Sequence, residues 1–182
     1  VSGGAAGGGR RELHLHLGLP KTGTTAIQAG LLANREALAA QGLHMAPEQD
    51  SAGAHHALAR VLRDEGAAGL LRRFDAGPAR QVASSEIFAM LLARRHDLLE
   101  DLLACFDGKL RLHLTLRRWD MFVDSLVAQI VQNYFLGWTS HPTSDPADLI
   151  ADGGPLGPEL PAGLRRMVET VVARRGAAAV RI

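Results

Sequence analysis

Lysine is almost missing from this chain. Eighteen of its twenty basic residues are Arg, and only Lys21 and Lys109 are Lys. A composition that so avoids Lys, yet keeps one inside a glycine loop, points to a task for a compact point charge rather than for a planar guanidinium fork. Cysteine is scarce too. Cys105 stands alone, which excludes an intrachain disulfide and gives no argument for an oxidising compartment. Its neighbours Leu102, Leu103 and Phe106 predict a buried, structural thiol. No apolar run approaches the ~20 residues of a membrane helix. Val1–Gly9 is rich in Gly and Ala, without the charged start or apolar core of a signal peptide. Charge of one sign is not in excess: the formal net charge is +1, which gives no reason to expect a nucleic-acid or membrane-binding surface. A cytoplasmic protein is the expectation.

What is present is ordinary for a globular domain. The 182 residues are 47% hydrophobic and 21% charged. One domain is expected, and a chain this long buries roughly 70% of its unfolded surface. Residues 1–9 read as a flexible tail and residues 10–182 as an α/β domain. The chain starts without Met and ends at Val180-Arg181-Ile182, which reads as a strand cut short, so the domain is expected to be incomplete at its C-terminus.

One stretch organises the rest. Leu13, Leu15 and Leu17 alternate with polar residues, the period of a strand. Gly18 ends the run, Pro20 stiffens a turn, and Thr22, Thr24 and Thr25 suit a helix N-terminus. A helix start behind a glycine turn is an anion site, because its unpaired N–H groups and positive dipole end face the ligand. Gly18 and Gly23 have the spacing of a Walker A loop, G-x-x-x-x-G-K-[ST]. Where that loop needs Lys, Thr24 stands, and the cation is Lys21 within the loop. The pattern argues for an anionic nucleotide other than an ordinary triphosphate with magnesium.

The remaining elements follow in order. A first helix is predicted over about 24–40, with Ile27, Leu31 and Leu38 on one face and Gly42 as its stop. Leu43–Ala46 reads as a short strand closed by Pro47. A helix from about Ala54 to Glu65 opens on His55 and His56, and Ala67–Arg73 adds a further turn. Arg80–Ser84 reads as a buried strand, and 87–106 as helix in two pieces broken near Arg94-Arg95. Lys109–Leu116 is the clearest strand by alternation. Trp119, Phe122, Val123, Leu126, Val127, Ile130, Val131, Tyr134 and Phe135 fall at helical steps and predict a core-facing stripe. Gly137–Pro161 reads as a long loop, and Leu164–Arg175 as the last helix. Strands alternating with helices predict a mainly parallel sheet, whose ligands bind at the carboxyl ends of its strands. The glycine loop, Ser84-Ser85-Glu86 and Arg117 all fall at such ends.

Gly18-Leu19-Pro20-Lys21-Thr22-Gly23-Thr24-Thr25 resembles the phosphosulfate loop of the sulfotransferases that use 3′-phosphoadenosine 5′-phosphosulfate (PAPS), the P-K-[ST]-G-T-T pattern. Arg117 with Ser125 eight residues on matches the family's second element, an Arg at a strand end and a Ser in the following helix. Asn34-Arg35, the stretch Gly42 to Pro47, and Ser84-Ser85-Glu86 are similar to the bacterial branch. The resemblance runs from about Leu13 to Gln132. It implies a P-loop NTPase-like three-layer sandwich and sulfuryl transfer from PAPS to a hydroxyl or amine of a small molecule or glycan. Lys21 would then stabilise charge on the leaving 5′-phosphate oxygen. Pro20, Thr22, Gly23, Thr24 and Thr25 would line the 5′ side, while Arg117 and Ser125 would hold the 3′-phosphate. Arg118 falls on the other side of the strand and is left out.

The acceptor's proton needs a base. The histidine pair His55-His56, at a helix start, and Glu86, at a strand end on the ligand side, are the candidates. The pair is favoured, with neither histidine preferred. His14, His16 and His113 lie inside strands and read as structural. No H-x-x-x-H or Cys partner accompanies the eight histidines, so no metal is expected. The rival readings are a P-loop kinase or nucleotide triphosphatase and a non-catalytic nucleotide-binding fragment. Thr24 in the lysine position, and no apolar strand ending in Asp for magnesium, count against the first. Oligomeric state is not legible.

Overall fold

Leucine alternation builds the middle of the sheet. In the computed structural model, which describes residues 11–135 and 157–175 (side chains of 130–135 and 175 excepted), Glu12–Gly18 forms β1. Leu13, Leu15 and Leu17 on it are fully buried. Beside it run β2 (His44–Met45), β3 (Arg80–Ser84) and β4 (Leu110–Thr115), in the order β2-β3-β1-β4 and all parallel. Parallel neighbours need crossovers, and helices supply them. The architecture is therefore α/β with a parallel sheet.

The register separates the two faces of the sheet. Leu13, Leu15 and Leu17 pair with Leu110, Leu112 and Leu114 on one side and the first two with Gln81 and Ala83 on the other, giving a mostly apolar face. The alternate positions pair His14 with Val82 and Arg111, His16 with Ser84 and His113, and Gly18 with Thr115, giving a mostly polar face. Over the apolar face lie α3 (His56–Asp75) and α7 (Glu159–Arg175). With α4 (Glu86–Arg94) and α5 (His96–Cys105) they enclose one core that includes Leu62, Phe88, Leu99 and Phe106. The cation of Arg11 sits 5.1 Å from the Phe74 ring centroid and donates to the Phe74 carbonyl at 2.9 Å, pinning the entry of β1 to the end of α3.

Several boundaries differ from expectation, each for a local reason. The first helix divides into α1 (Thr24–Ala33) and α2 (Arg35–Ala40) at Asn34, whose side-chain amide donates to the Gly30 carbonyl at 2.8 Å. The apolar face is not the buried one: α1 buries Thr24 and Gln28, which meet Gly18 and Glu86 at strand ends, while Ile27 is exposed. The short second strand is two residues long, and β4 spans Leu110–Thr115 rather than the longer stretch expected. The two helical stretches after His55 run on as α3, with a non-helical break at Gly66 (φ 70°, ψ −171°). The break at Arg94-Arg95 is present, with Arg95 between α4 and α5. Cys105 is exposed, not buried: α5 turns Leu98, Leu99, Leu102 and Leu103 inward, Phe106 takes the next core position, and the thiol is left at the helix edge. In α6 (Trp119–Phe135) Phe122 is buried and Trp119, Val123, Leu126 and Val127 pack against the core. The helix α7 starts at Glu159, before the expected Leu164, with Pro161 in a first turn that lacks an acceptor for its N–H in any case. The 1–9 tail, residues 137–156 of the long loop, the side chains of Ile130, Val131, Tyr134 and Phe135, and the terminal strand lie outside the described residues.

Candidate functional site

The glycine loop is fixed at both ends. A Cβ on Gly18 would stand 1.9 Å from the Thr24 Cγ2, so only glycine lets the strand end approach the start of α1 this closely. Past it, the Leu19 N–H donates to the Thr115 carbonyl at 3.4 Å, and the Thr22 N–H and hydroxyl both donate to the Leu19 carbonyl, at 3.3 and 2.6 Å. This turn carries Lys21 into the left-handed region (φ 64°) and Gly23 likewise (φ 85°). Glycine adopts that conformation freely, whereas lysine does so at a cost of about 1 kcal/mol or more. The first intrahelical bond of α1 runs from the Ile27 N–H to the Gly23 carbonyl at 3.2 Å, and no side chain caps this end. The N–H groups of Thr24, Thr25 and Ala26 therefore lack a helical acceptor, which is the arrangement an anion needs. Thr24 is buried, Thr25 is exposed, and Pro20, Lys21 and Thr22 are half-buried. Among the described residues no carboxylate pairs with the Lys21 ammonium.

Arg117 joins the loop from the far side. Its Nη1 donates to the Lys21 carbonyl at 3.0 Å and to the Ser125 hydroxyl at 3.3 Å. The strand-end Arg, the helix Ser and the loop lysine thus meet at one edge of the sheet. Arg118 turns away and pairs with Asp120 in exposed positions.

A second group gathers at the end of β3. The Ser85 hydroxyl accepts from the Ile87 N–H at 3.2 Å and so caps α4. The same oxygen is hydrogen-bonded to the His56 Nδ1 at 2.8 Å. His56 Nε2 lies 3.9 Å from Glu86 Oε1, too long for a hydrogen bond but within reach of an ion pair once the imidazole is protonated. The other Glu86 oxygen accepts from Gln28 Nε2 at 3.4 Å. Gln28 stands one turn beyond Thr24 on α1, so this carboxylate and imidazole lie beside the helix that begins at the loop. No hydrogen bond or ion pair among the described residues joins His56 or Glu86 to Lys21 itself.

His55 and His56 are adjacent in sequence and opposite in situation. His56 is half-buried, whereas His55 is fully buried. His55 Nε2 donates to the Ala46 carbonyl at 3.0 Å, and its Nδ1 accepts from the Ser84 N–H at 3.2 Å. Those partners fix its tautomer and occupy both nitrogens, so it braces the ends of β2 and β3 and has no lone pair left for a substrate. Burial pushes its pKa below the ordinary 6.5.

One residue that reads as merely structural stands between the two groups. His16 is 6% exposed, with Nδ1 2.7 Å from Ser84 Oγ and Nε2 2.5 Å from Thr115 Oγ1. Burial lowers its pKa too, His113 adds to that, and Glu86 opposes it. Its sequence signal was a polar residue on the central strand two positions before the glycine. Gln28 and Ser85 also belong to the site. Gln28 sits on a helix of mostly apolar residues and gives no signal.

The gap lined by Leu17, Leu112, Leu114, Met167, Val168 and Val171 lies on the leucine face and carries no polar group. It is a packing space between sheet and helix rather than a binding site. Among the described residues no three His, Cys, Asp or Glu could jointly hold a metal, and no helix is long and apolar enough to cross a membrane. No family model, no curated protein and no solved structure matches this chain.

Proposed function

We propose that this chain is a PAPS-dependent sulfotransferase with a P-loop NTPase-like fold, acting in the cytoplasm on a hydroxyl or amine of a small molecule or glycan. The observation that carries the reading is Arg117, bonded to both the Lys21 carbonyl and the Ser125 hydroxyl beside an uncapped helix start. Two cationic residues beside an uncapped helix start suit a nucleotide bearing phosphates at both its 5′ and 3′ positions. In this reading the N–H groups of Gly23, Thr24 and Thr25 receive the 5′-phosphate oxygens, with Pro20 and Thr22 shaping the turn. Lys21 faces the bridging oxygen, where charge grows as the S–O bond to the nucleotide breaks. Arg117 and Ser125 receive the 3′-phosphate.

His56 serves as the base. With Nδ1–H donated to Ser85, its Nε2 lone pair takes the acceptor's proton while the new S–O or S–N bond forms, and Glu86 stabilises the resulting imidazolium. The nucleotide departs as 3′-phosphoadenosine 5′-phosphate. A sulfuryl group carries less charge than a terminal phosphoryl, so the arrangement asks for no magnesium clamp.

Isothermal titration of the chain with 3′-phosphoadenosine 5′-phosphate, with and without magnesium, tests this. Magnesium-independent binding, much weaker for adenosine 5′-monophosphate, is expected. Tight binding of ATP only with magnesium would sink the reading in favour of a kinase. Binding without transfer from PAPS to any of a panel of hydroxyl and amine acceptors would favour a non-catalytic nucleotide-binding protein.

A further inference from the structure

We infer that His16 is a positioning residue that sets the separation between the two arms of the site. It rests on the reading above for what those arms do, but not for the coupling itself. His16 lies on the central strand, and its ring hydrogen-bonds to both flanking strand ends, at Ser84 Oγ and Thr115 Oγ1. Ser84 is followed by Ser85 and Glu86, which hold and face His56. Thr115 is two residues before Arg117, and its carbonyl accepts from the loop at Leu19. On the β3 side the backbone repeats the tie, since the Ser85 N–H donates to the His16 carbonyl at 3.3 Å.

The ring also forms the floor of the loop. His16 Cε1 would be 3.3 Å from a Cβ on Gly18. A neutral imidazole between two hydroxyls is satisfied in both directions: one nitrogen donates to a hydroxyl oxygen and the other accepts a hydroxyl proton. Buried polar rows of this kind hold geometry when every member is paired, and lose it when one is not. An aliphatic residue at position 16 would pack here but could not fix one strand end against the other.

The test is the ring ¹⁵N spectrum of the ligand-free chain, in which His56 reports on the far arm. Thr115→Val removes the hydroxyl on the β4 side with little change of volume. It should shift the His56 ring resonances, although β1 and β3 separate Thr115 from His56. Ser84→Ala should shift them as well, and the double variant should shift them by less than the sum. An unmoved His56 spectrum in Thr115→Val, with the His16 resonances changed, would overturn the inference and leave His16 a local brace. His16→Gln can still reach Thr115 and should keep more of the wild-type His56 spectrum than His16→Phe does; equal spectra would count against it. Titration with 3′-phosphoadenosine 5′-phosphate separates the two claims. If the wild-type chain binds none of it, the functional reading fails while the spectra still decide the coupling. If it binds, Thr115→Val should lower the preference for the 3′-phosphate about tenfold, the worth of one buried hydrogen bond.

Discussion

The guanidinium of Arg117 donates to the carbonyl of Lys21 across 96 positions of sequence, at 3.0 Å. Lys21 is also one of two non-glycine residues with positive φ among the described residues. The two facts belong together. A lysine in the left-handed region persists only where its surroundings hold it there. The bond from Arg117 does that, at the turn that leads into the uncapped start of α1. Arg117 therefore has two tasks in the proposed reaction: it meets the 3′-phosphate, and it holds the residue that meets the 5′ side.

Arg117→Ala should consequently do more than weaken nucleotide binding. Loss of charge-assisted bonds to a phosphate predicts an affinity for 3′-phosphoadenosine 5′-phosphate lower by about 10- to 100-fold. Loss of the Lys21 bond predicts a fall in kcat at saturating PAPS as well. Arg117→Lys restores charge but not the fork, and should recover affinity better than kcat. Lys21→Ala should show the opposite balance, with kcat down about a hundredfold or more and affinity changed little. Steady-state rates paired with titration calorimetry read both.

The contact of Gly18 with Thr24 predicts a large and reversible cost. Gly18→Ala places a methyl 1.9 Å from Thr24 Cγ2, and the strand end and helix start must part to admit it. Overpacking of this kind costs about 3 kcal/mol. Thr24→Ser deletes the offending methyl and keeps the hydroxyl, so the double variant should recover most of the stability. Urea unfolding of the two single variants and the pair gives the coupling directly; additive losses would mean that the strain lies elsewhere.

How much of this was legible beforehand depended on which force places each residue. Leucine alternation in β1 and β4 reports burial, and both strands were found from it. Glycine spacing singles out the loop and a family resemblance singles out Arg117 and Ser125, and the structure brings the Lys21 carbonyl and the Ser125 hydroxyl to Arg117. Burial by a polar environment leaves no such trace. Hydropathy groups Ile27 with the apolar residues of α1 and gives Gln28 no role, because it cannot reveal that Thr24 meets the strand end at Gly18 and Gln28 meets Glu86. For the same reason His55 and His56 could not be told apart. They differ in which backbone groups surround them, and those come from Ala46 and Ser84, distant in sequence.

Three buried or half-buried histidines should make the fold sensitive to mild acid. Burial lowers the pKa of His14, His16 and His55 below 6.5. Below that pH the unfolded chain takes up protons that the folded chain refuses. Stability is therefore whole above it and falls as pH drops through it, until the depressed native values are passed. Each such group removes up to about 1.4 kcal/mol per pH unit within that window. His55→Leu should lose about 2–4 kcal/mol at pH 7.5, because it strands the Ser84 N–H and the Ala46 carbonyl. It should also make the decline between pH 7 and 5 shallower than in the wild type. Urea midpoints across that range measure both; an unchanged slope would remove His55 from the acid response.

Ser85 and His56 offer the sharpest division between base and support. His56→Gln retains a polar group of similar reach but cannot accept and carry a proton, so kcat should fall about 10²- to 10⁴-fold with nucleotide affinity unchanged. Ser85→Ala removes the cap on the Ile87 N–H, costing about 1 kcal/mol of stability, and frees the imidazole at Nδ1. Its kcat should fall by a smaller factor, about tenfold, as a loss of orientation rather than of chemistry. The two changes share one pathway, so the double variant should be no slower than His56→Gln alone. If Ser85→Ala slows the His56→Gln enzyme by its full factor again, the serine acts on the substrate independently of the histidine, and the base must be sought at Glu86.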